Sequence, residues 1–173
     1  MARIITMFSM FKEDLVQLSI FKNLSDAQFE QLEPMLEYVL LRPNQIVFEQ
    51  SQFADYLYIL LTGEVLVRYK PYDGPSITVA RIVRGGVFGW SAALGRLAYT
   101  SSAVVSVAGE AYRIQGQKLR QLCEHNPETG VVLLERLANV IAERLHNAHT
   151  QIVNILSQGM DLTGGCEGKV DQG

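Results

Sequence analysis

The side chains best suited to metal binding or nucleophilic chemistry in this 173-residue chain are three histidines and two cysteines. His146 and His149 lie three positions apart, a spacing at which two helical side chains can share a metal. A tetrahedral site needs four ligands, and only His125 remains to join them. Cys123 and Cys166 are too far apart for a CxxC pair, and two cysteines cannot form a four-cysteine site. The pattern predicts surface histidines, free thiols and no metal site.

These scattered residues also argue against catalysis. Neither a Ser/His/Asp nor a Cys/His set can be assembled from them. A metal-dependent enzyme on a small β-barrel, such as a cupin, would need clustered histidine and carboxylate ligands on strands. All three histidines fall outside the strand-rich region described below. We therefore predict that the chain is not an enzyme.

The composition limits the partners of the chain. Hydrophobic residues make up 48% of it and charged residues 19%, which is enough apolar material for a packed core. The net charge of −3 lacks the basic footprint of a nucleic-acid-binding domain. No apolar run reaches the ~18 residues that cross a bilayer. The first ten residues contain one charged side chain, Arg3, and no cleavage signature, so we expect a cytoplasmic protein without direct nucleic-acid or membrane contact.

The region 10–126 is predicted to be one β-rich domain that begins with helices over about 10–36. Ser25 and Gln28 have the spacing of a capping box that starts a helix at Asp26. Pro34 is expected to end or bend that helix.

Between about residues 37 and 115 the sequence indicates short strands separated by glycine-containing turns. Alternation of apolar and polar residues around Val65 and Val67 is typical of a half-buried strand. Asp73-Gly74 predicts a hairpin turn, and Thr62-Gly63 and Ala108-Gly109 are interpreted as strand ends. Such short strands favour a closed antiparallel roll of the jelly-roll, or double-stranded β-helix, type. The strands are predicted at 46–48, 56–61, 64–70, 77–83 and 102–107.

Residues 127–157 are predicted to form one long helix, with Asn126 as its N-cap and Pro127 in its first position. Its apolar residues repeat at alternating spacings of three and four, which is the heptad pattern of a helix that pairs with a second copy. The alternative is an amphipathic helix folded back on its own core. The heptad seam consists of Val131, Leu134, Ala138, Ile141, Leu145, Ala148, Ile152 and Ile155.

A second apolar stripe occurs only in the first half of this helix, where the wide apolar face is expected to dock on the roll. The stripe consists of Val132, Leu133, Leu137 and Val140. Residues 158–173 are rich in glycine and are predicted to be a disordered tail.

The order of these elements resembles the cyclic nucleotide-binding sensory domain of bacterial regulators of the catabolite-activator type. Leu18–Asp26 is similar to the entry of that family's first domain helix, and Tyr56–Glu64 to its central hairpin. Phe88–Ser91 and Tyr99–Ser101 fall where the family places its phosphate-binding cassette. The likeness extends over about residues 15–156. It implies a regulatory module of a signalling or transcription regulator, with a long C-terminal dimerisation helix and a cyclic nucleotide or another small effector.

The resemblance also implies where a ligand binds. In the family, a glycine loop opens a short helix, here about Ser91–Leu94, whose first N–H groups face the cyclic phosphate. Gly89 would allow close approach of the backbone, and the middle of the long helix would contact the base. The implied ligand-binding residues are Phe88, Gly89, Trp90, Ser91, Ala92, Tyr99, Thr100 and Ser101, with Arg144, Ala148 and His149 on the long helix.

Two residues depart from the family pattern. Trp90 stands where a glutamate normally binds the ribose hydroxyl. Tyr99, or Ser101 if the loop is aligned two residues later, stands where an arginine normally neutralises the phosphate. Arg96 could supply a cation from another direction or be an ordinary solvated loop arginine. The departures predict a small anionic or aromatic effector other than a standard cyclic nucleotide.

Trp90 and Tyr99 leave two hypotheses open. They could line an aromatic ligand pocket, or Trp90 could fill the cavity and leave a structural scaffold homodimer without a ligand.

The oxygen-sensing iron–sulfur branch of the family is excluded because it needs four cysteines. Met160–Gly165 resembles the hinge before the family's helix-turn-helix, and too few residues follow it for that domain. The chain is thus interpreted as the sensory part of a longer regulator or as a stand-alone module.

Overall fold

The computed structural model describes Leu15 and residues 18–161, apart from the side chains at 144 and 147–161. Turns over residues 18–23 lead into helix α1, Asp26–Leu32, and a 3-10 turn, Glu33–Met35. The predicted capping box is confirmed. Ser25 Oγ accepts from the Gln28 N–H at 3.3 Å, and Gln28 Oε1 accepts from the Ser25 N–H at 2.9 Å. Of the predicted N-terminal helical region, residues 10–14, 16 and 17 lie outside the described part of the chain.

An antiparallel sheet forms the body of the domain, which confirms the mainly β class with flanking helices. Strands β1, β6, β3 and β4 are neighbours in that order, while β2 pairs with β6 and β5 pairs with β3. The hairpin predicted at Asp73-Gly74 connects β3 to β4. The strands are β1 Glu37–Leu41, β2 Ile46–Phe48, β3 Tyr56–Tyr69, β4 Ile77–Ile82, β5 Val87–Phe88 and β6 Ser102–Gln115.

The two longest strands correct the prediction that Thr62-Gly63 and Ala108-Gly109 end strands. Strands β3 and β6 each continue through their glycine for 14 residues and pair with each other. Gly63 adopts a φ of +85°, and a Cβ on Gly109 would lie 2.0 Å from the Thr62 carbonyl oxygen. The glycines therefore let the paired strands shift register and bend without ending. The hydrogen bonds on both sides of each glycine keep the two strands paired.

Two helices follow the sheet. Helix α2, Gly116–His125, was not predicted, and helix α3 covers Pro127–Asp161. Helix α3 begins where Asn126 and Pro127 predicted, with the Gly130 N–H donating to the Asn126 carbonyl at 2.9 Å. It continues four residues past the predicted end at 157, because a glycine at 159 costs a helix only about 1 kcal/mol. The predicted tail therefore starts in helix, and residues 162–173 lie outside the described part.

The first half of helix α3 contributes to the core. Leu133 and Leu137, from the stripe predicted to dock, are buried and line an apolar cavity with Leu57 of β3 and Ile114 of β6.

The structure divides into two units between Val140 and Ile141, and the second unit contains the rest of helix α3. Among the described residues, no helix is both long enough and apolar enough to cross a bilayer.

Candidate functional site

The predicted cassette is a tight turn over residues 89–95, which we call the cassette turn. It follows directly after β5 and was expected to contain a short helix over Ser91–Leu94. The structure has turns there instead. The Leu94 N–H donates to the Trp90 carbonyl at 3.0 Å, and the Arg96 N–H donates to the Ser91 carbonyl at 2.9 Å. Gly95 then takes a φ of +72° and redirects the chain, so the helical hydrogen-bond pattern ends after one turn.

Gly89 fixes where the cassette turn begins. Its φ is +75°, and a Cβ there would lie 2.7 Å from the Tyr56 carbonyl oxygen and 3.2 Å from the rings of Phe48 and Tyr58. Both the backbone angle and the lack of space therefore require glycine. The backbone that Gly89 approaches in the structure is that of strand β3, so close approach to a ligand stays a prediction.

The middle of the cassette turn is buried. Ser91, Ala92 and Ala93 are buried and Trp90 is half-buried, whereas Leu94 and Gly95 are exposed. Within the described part of the chain, the N–H groups of Ser91 and Ala93 donate no backbone hydrogen bond. Because buried amides without a partner are costly, these two donors are suited to a ligand oxygen.

Tyr99 points into the roll and behaves as a core residue. Its ring stacks on Phe48 with centroids 3.7 Å apart, and the residue is 5% exposed. Its hydroxyl accepts from the Tyr56 N–H at 2.9 Å and donates to the Tyr56 carbonyl at 2.8 Å. Burial raises the pKa of Tyr99 to about 12, so the side chain is neutral at ordinary pH. Tyr99 therefore supplies neither a positive charge nor a free donor to a phosphate.

The remaining predicted cassette residues differ in their exposure. Thr100 is exposed and Ser101 is half-buried, so both lie at the rim of the core. Arg96 is exposed, as expected of a solvated loop arginine.

An aromatic cluster that the sequence does not predict packs beside the cassette turn. Tyr58 stacks on Phe88 with centroids 5.0 Å apart, and Phe48 contacts both rings. Burial raises the pKa of Tyr58. At the end of this cluster the Arg113 guanidinium lies 4.1 Å from the Tyr56 ring centroid and donates to Glu37 at 2.9 Å. The only sequence signal for the cluster was the apolar character of three separate strands.

Helix α2 contacts the cassette turn from the other side. The Arg120 guanidinium donates to the Ala92 carbonyl oxygen. Gly116, the first residue of α2, lies so close that a Cβ there would be 2.3 Å from the same oxygen. Neither residue is predicted from the sequence, because helix α2 itself is not.

Comparison with known proteins agrees with this arrangement of a β-roll, a glycine-opened cassette turn and a following helix. The sequence model of the cyclic nucleotide-binding domain matches residues 38–126, about half of the chain. The chain belongs to the cyclic nucleotide-binding domain family. The match begins in β1 and ends just after α2, so it contains the sheet and the whole cassette turn.

The chain is also similar to a transcriptional regulator. It is 28% identical over 142 residues to the cAMP-activated global transcriptional regulator CRP of Pasteurella multocida. That alignment covers 77% of this chain and 65% of the regulator, so the chain spans less than two thirds of the length of this relative.

Two solved structures share the cyclic nucleotide-binding fold. A putative cyclic nucleotide-binding protein from Geobacter metallireducens is 30% identical with a TM-score of 0.69, covering 78% of this chain and 97% of that one. A cyclic nucleotide-binding domain from Methylobacillus flagellatus has a TM-score of 0.76 at 20% identity, and the match covers 83% of both chains.

Five of the predicted ligand-binding and seam residues are on the later part of helix α3. The side chains of Arg144, Ala148, His149, Ile152 and Ile155 lie outside the described residues. Among the residues that are described, no group of three or more histidine, cysteine or acidic side chains is arranged to hold a metal ion.

Proposed function

We propose that this chain is a ligand-sensing regulatory domain whose cassette turn binds the anionic group of a small effector. The observation that carries the proposal is the pair of N–H groups at Ser91 and Ala93, in a buried turn, that donate no backbone hydrogen bond within the described residues. A bound oxygen would satisfy both donors, as backbone amides do in other anion sites. The domain acts by binding rather than by catalysis.

The effector that fits this site is not a standard cyclic nucleotide. Trp90 replaces the carboxylate that the family uses for the ribose, and Tyr99 is engaged with Phe48 and Tyr56 instead of a phosphate. Each missing charge-assisted contact costs about 1.5–3 kcal/mol, or roughly 10- to 150-fold in affinity. We therefore propose a small anionic effector with an aromatic or apolar body that packs against Trp90.

Trp90 makes the test direct, because it is the only tryptophan in the chain. Fluorescence and calorimetric titrations should show weak binding of cyclic AMP and cyclic GMP by the wild-type chain. Trp90→Glu restores the family's carboxylate and should bind cyclic AMP more tightly than the wild type does. Trp90→Gln should not, and calorimetry measures both affinities. Binding of cyclic AMP by the wild type with a Kd of about 1 μM or tighter would refute the proposal of a non-standard effector.

The domain is also proposed to be a homodimer that pairs through the heptad seam of helix α3. In the single chain, Leu134 is 46% exposed and Leu145 is 65% exposed, although both are large and apolar. Burial of one such side chain against a partner contributes about 1.5–3 kcal/mol. Effector binding would then bias two arrangements of the paired helices through its different affinity for each.

A second candidate function is a structural homodimer with a filled cavity. The burial of Tyr99 against Phe48 favours it, since this side chain occupies space inside the roll. Native mass spectrometry of protein purified from its source separates the two candidates. A small molecule retained at one copy per chain excludes the scaffold, whereas bare chains with no thermal shift across an anion panel exclude the sensor.

A further inference from the structure

Helix α2 holds one carbonyl group of the cassette turn. The Arg120 guanidinium donates to the Ala92 oxygen, and its Cδ and Nε pass 3.7 and 3.9 Å from where a Cβ on Gly95 would be. Gly116 brings the first turn of α2 against the same oxygen. The Ala92 carbonyl is therefore fixed toward α2 from two positions on that helix.

The carbonyl of Ala92 and the N–H of Ala93 belong to one peptide group. Because a trans peptide is planar, its C=O and N–H point in opposite directions. Arg120, by holding the oxygen, also directs the Ala93 N–H away from α2. This is one of the two amides that donate no backbone hydrogen bond within the described residues.

A cation on the carbonyl changes the strength of the amide as well as its direction. Hydrogen bonds in a chain polarise one another, so a guanidinium at the oxygen makes the N–H of the same peptide a better donor. The Ala93 N–H would therefore bind an anion more strongly, although Tyr99 supplies no positive charge.

We propose that Arg120 is a positioning residue for the anionic group of the effector and acts through the Ala92–Ala93 peptide. The ligand role rests on the proposed function of the cassette turn. The polarisation of the Ala93 amide needs no ligand and can be tested separately.

Amide NMR spectra of the ligand-free 173-residue chain test the polarisation. Arg120→Met keeps an unbranched stem and removes the donor, and the Ala93 nitrogen resonance should move upfield. Lys118→Met is the matched control, since it removes a positive charge from the same helix at an amine that lies 4.0 Å from Glu37. An Ala93 shift in Arg120→Met no larger than that in Lys118→Met would overturn the polarisation.

Titration with inorganic phosphate, followed at the Ser91 and Ala93 amides, tests the ligand role. Arg120→Met should bind phosphate about 2- to 10-fold more weakly, the effect of losing one ordinary hydrogen bond. The phosphate affinity of Arg120→Lys should lie between those of the wild type and Arg120→Met. If Arg120→Met does not fold, Arg120→Lys is compared with the wild type instead. Phosphate binding that Arg120→Met leaves unchanged refutes the role of Arg120 alone. A wild-type chain that binds no phosphate at these amides refutes the anion site itself and with it the ligand role.

Discussion

The Tyr99 hydroxyl lies between the two backbone polar groups of Tyr56, 2.9 Å from the nitrogen and 2.8 Å from the oxygen. It connects the loop before β6 to the first residue of β3, while its ring stacks on Phe48. Tyr99 is one of the two residues that the sequence offers at the position of the family's phosphate-binding arginine, the other being Ser101, and in the structure its side chain stabilises the core.

Tyr99→Phe tests the contribution of that hydroxyl to stability. The substitution keeps the ring stack and leaves the N–H and carbonyl of Tyr56 without this partner, so the free energy of unfolding should fall by about 1–3 kcal/mol. Urea denaturation measures this change in the free energy of unfolding. Tyr72→Phe is the control, since Tyr72 is 100% exposed, and it should change stability by less than about 0.5 kcal/mol. Equal effects of the two substitutions would contradict the assigned role.

The raised pKa of Tyr99 predicts a loss of stability in alkaline solution. The folded chain keeps this proton up to about pH 12, whereas an unfolded tyrosine releases it near pH 10. The contribution of Tyr99 is therefore complete below about pH 10 and is lost as the pH rises toward 12. Denaturation curves across this interval should fall less steeply for Tyr99→Phe than for the wild type. Because burial also raises the pKa of Tyr58, only the difference between the two curves reports on Tyr99. Parallel curves would show that Tyr99 ionises normally.

Gly89→Ala and Gly95→Ala form a matched pair of substitutions in the cassette turn. Both glycines have positive φ, but a Cβ on Gly89 would lie 2.7 Å from the Tyr56 oxygen, whereas one on Gly95 would meet its nearest atom at 3.7 Å. We expect Gly95→Ala to cost about 1–2 kcal/mol from backbone strain, and Gly89→Ala about 1–3 kcal/mol more from overlap. Thermal and urea unfolding measure both. A Gly89→Ala chain as stable as Gly95→Ala would show that strand β3 yields to the added methyl group.

Leu145→Glu tests the proposed dimer seam. A carboxylate at a seam position should separate the two helices, so sedimentation equilibrium should change from dimer to monomer. Asn139→Glu introduces the same charge at an exposed position off the seam and should remain dimeric. A wild-type chain that is monomeric at high concentration, or a Leu145→Glu chain that remains dimeric, would contradict pairing through this helix.

The elements that the sequence predicted well are those whose hydrogen bonds are local. The capping box joins Ser25 to Gln28, and helix α3 starts at Pro127 after Asn126, so only neighbouring residues decide these boundaries. The loop at Asp73-Gly74 was correct for the same reason. Glycine was a less certain indicator, because Gly63 bends a continuous strand where it was expected to end one.

In the candidate site, too, local features were predictable from the sequence and long-range contacts were not. The sequence by itself fixed the residue types: a glycine at 89, a tryptophan at 90, no arginine at 99 or 101, and apolar residues at heptad spacing along helix α3. Only the tertiary structure decided that Tyr99 turns into the core and that Arg120 holds Ala92, because these partners lie 43 and 28 residues apart along the chain. A local pattern fixes which residues can form a turn or a helix, whereas the contacts of a buried side chain depend on which distant strands the folded sheet brings together.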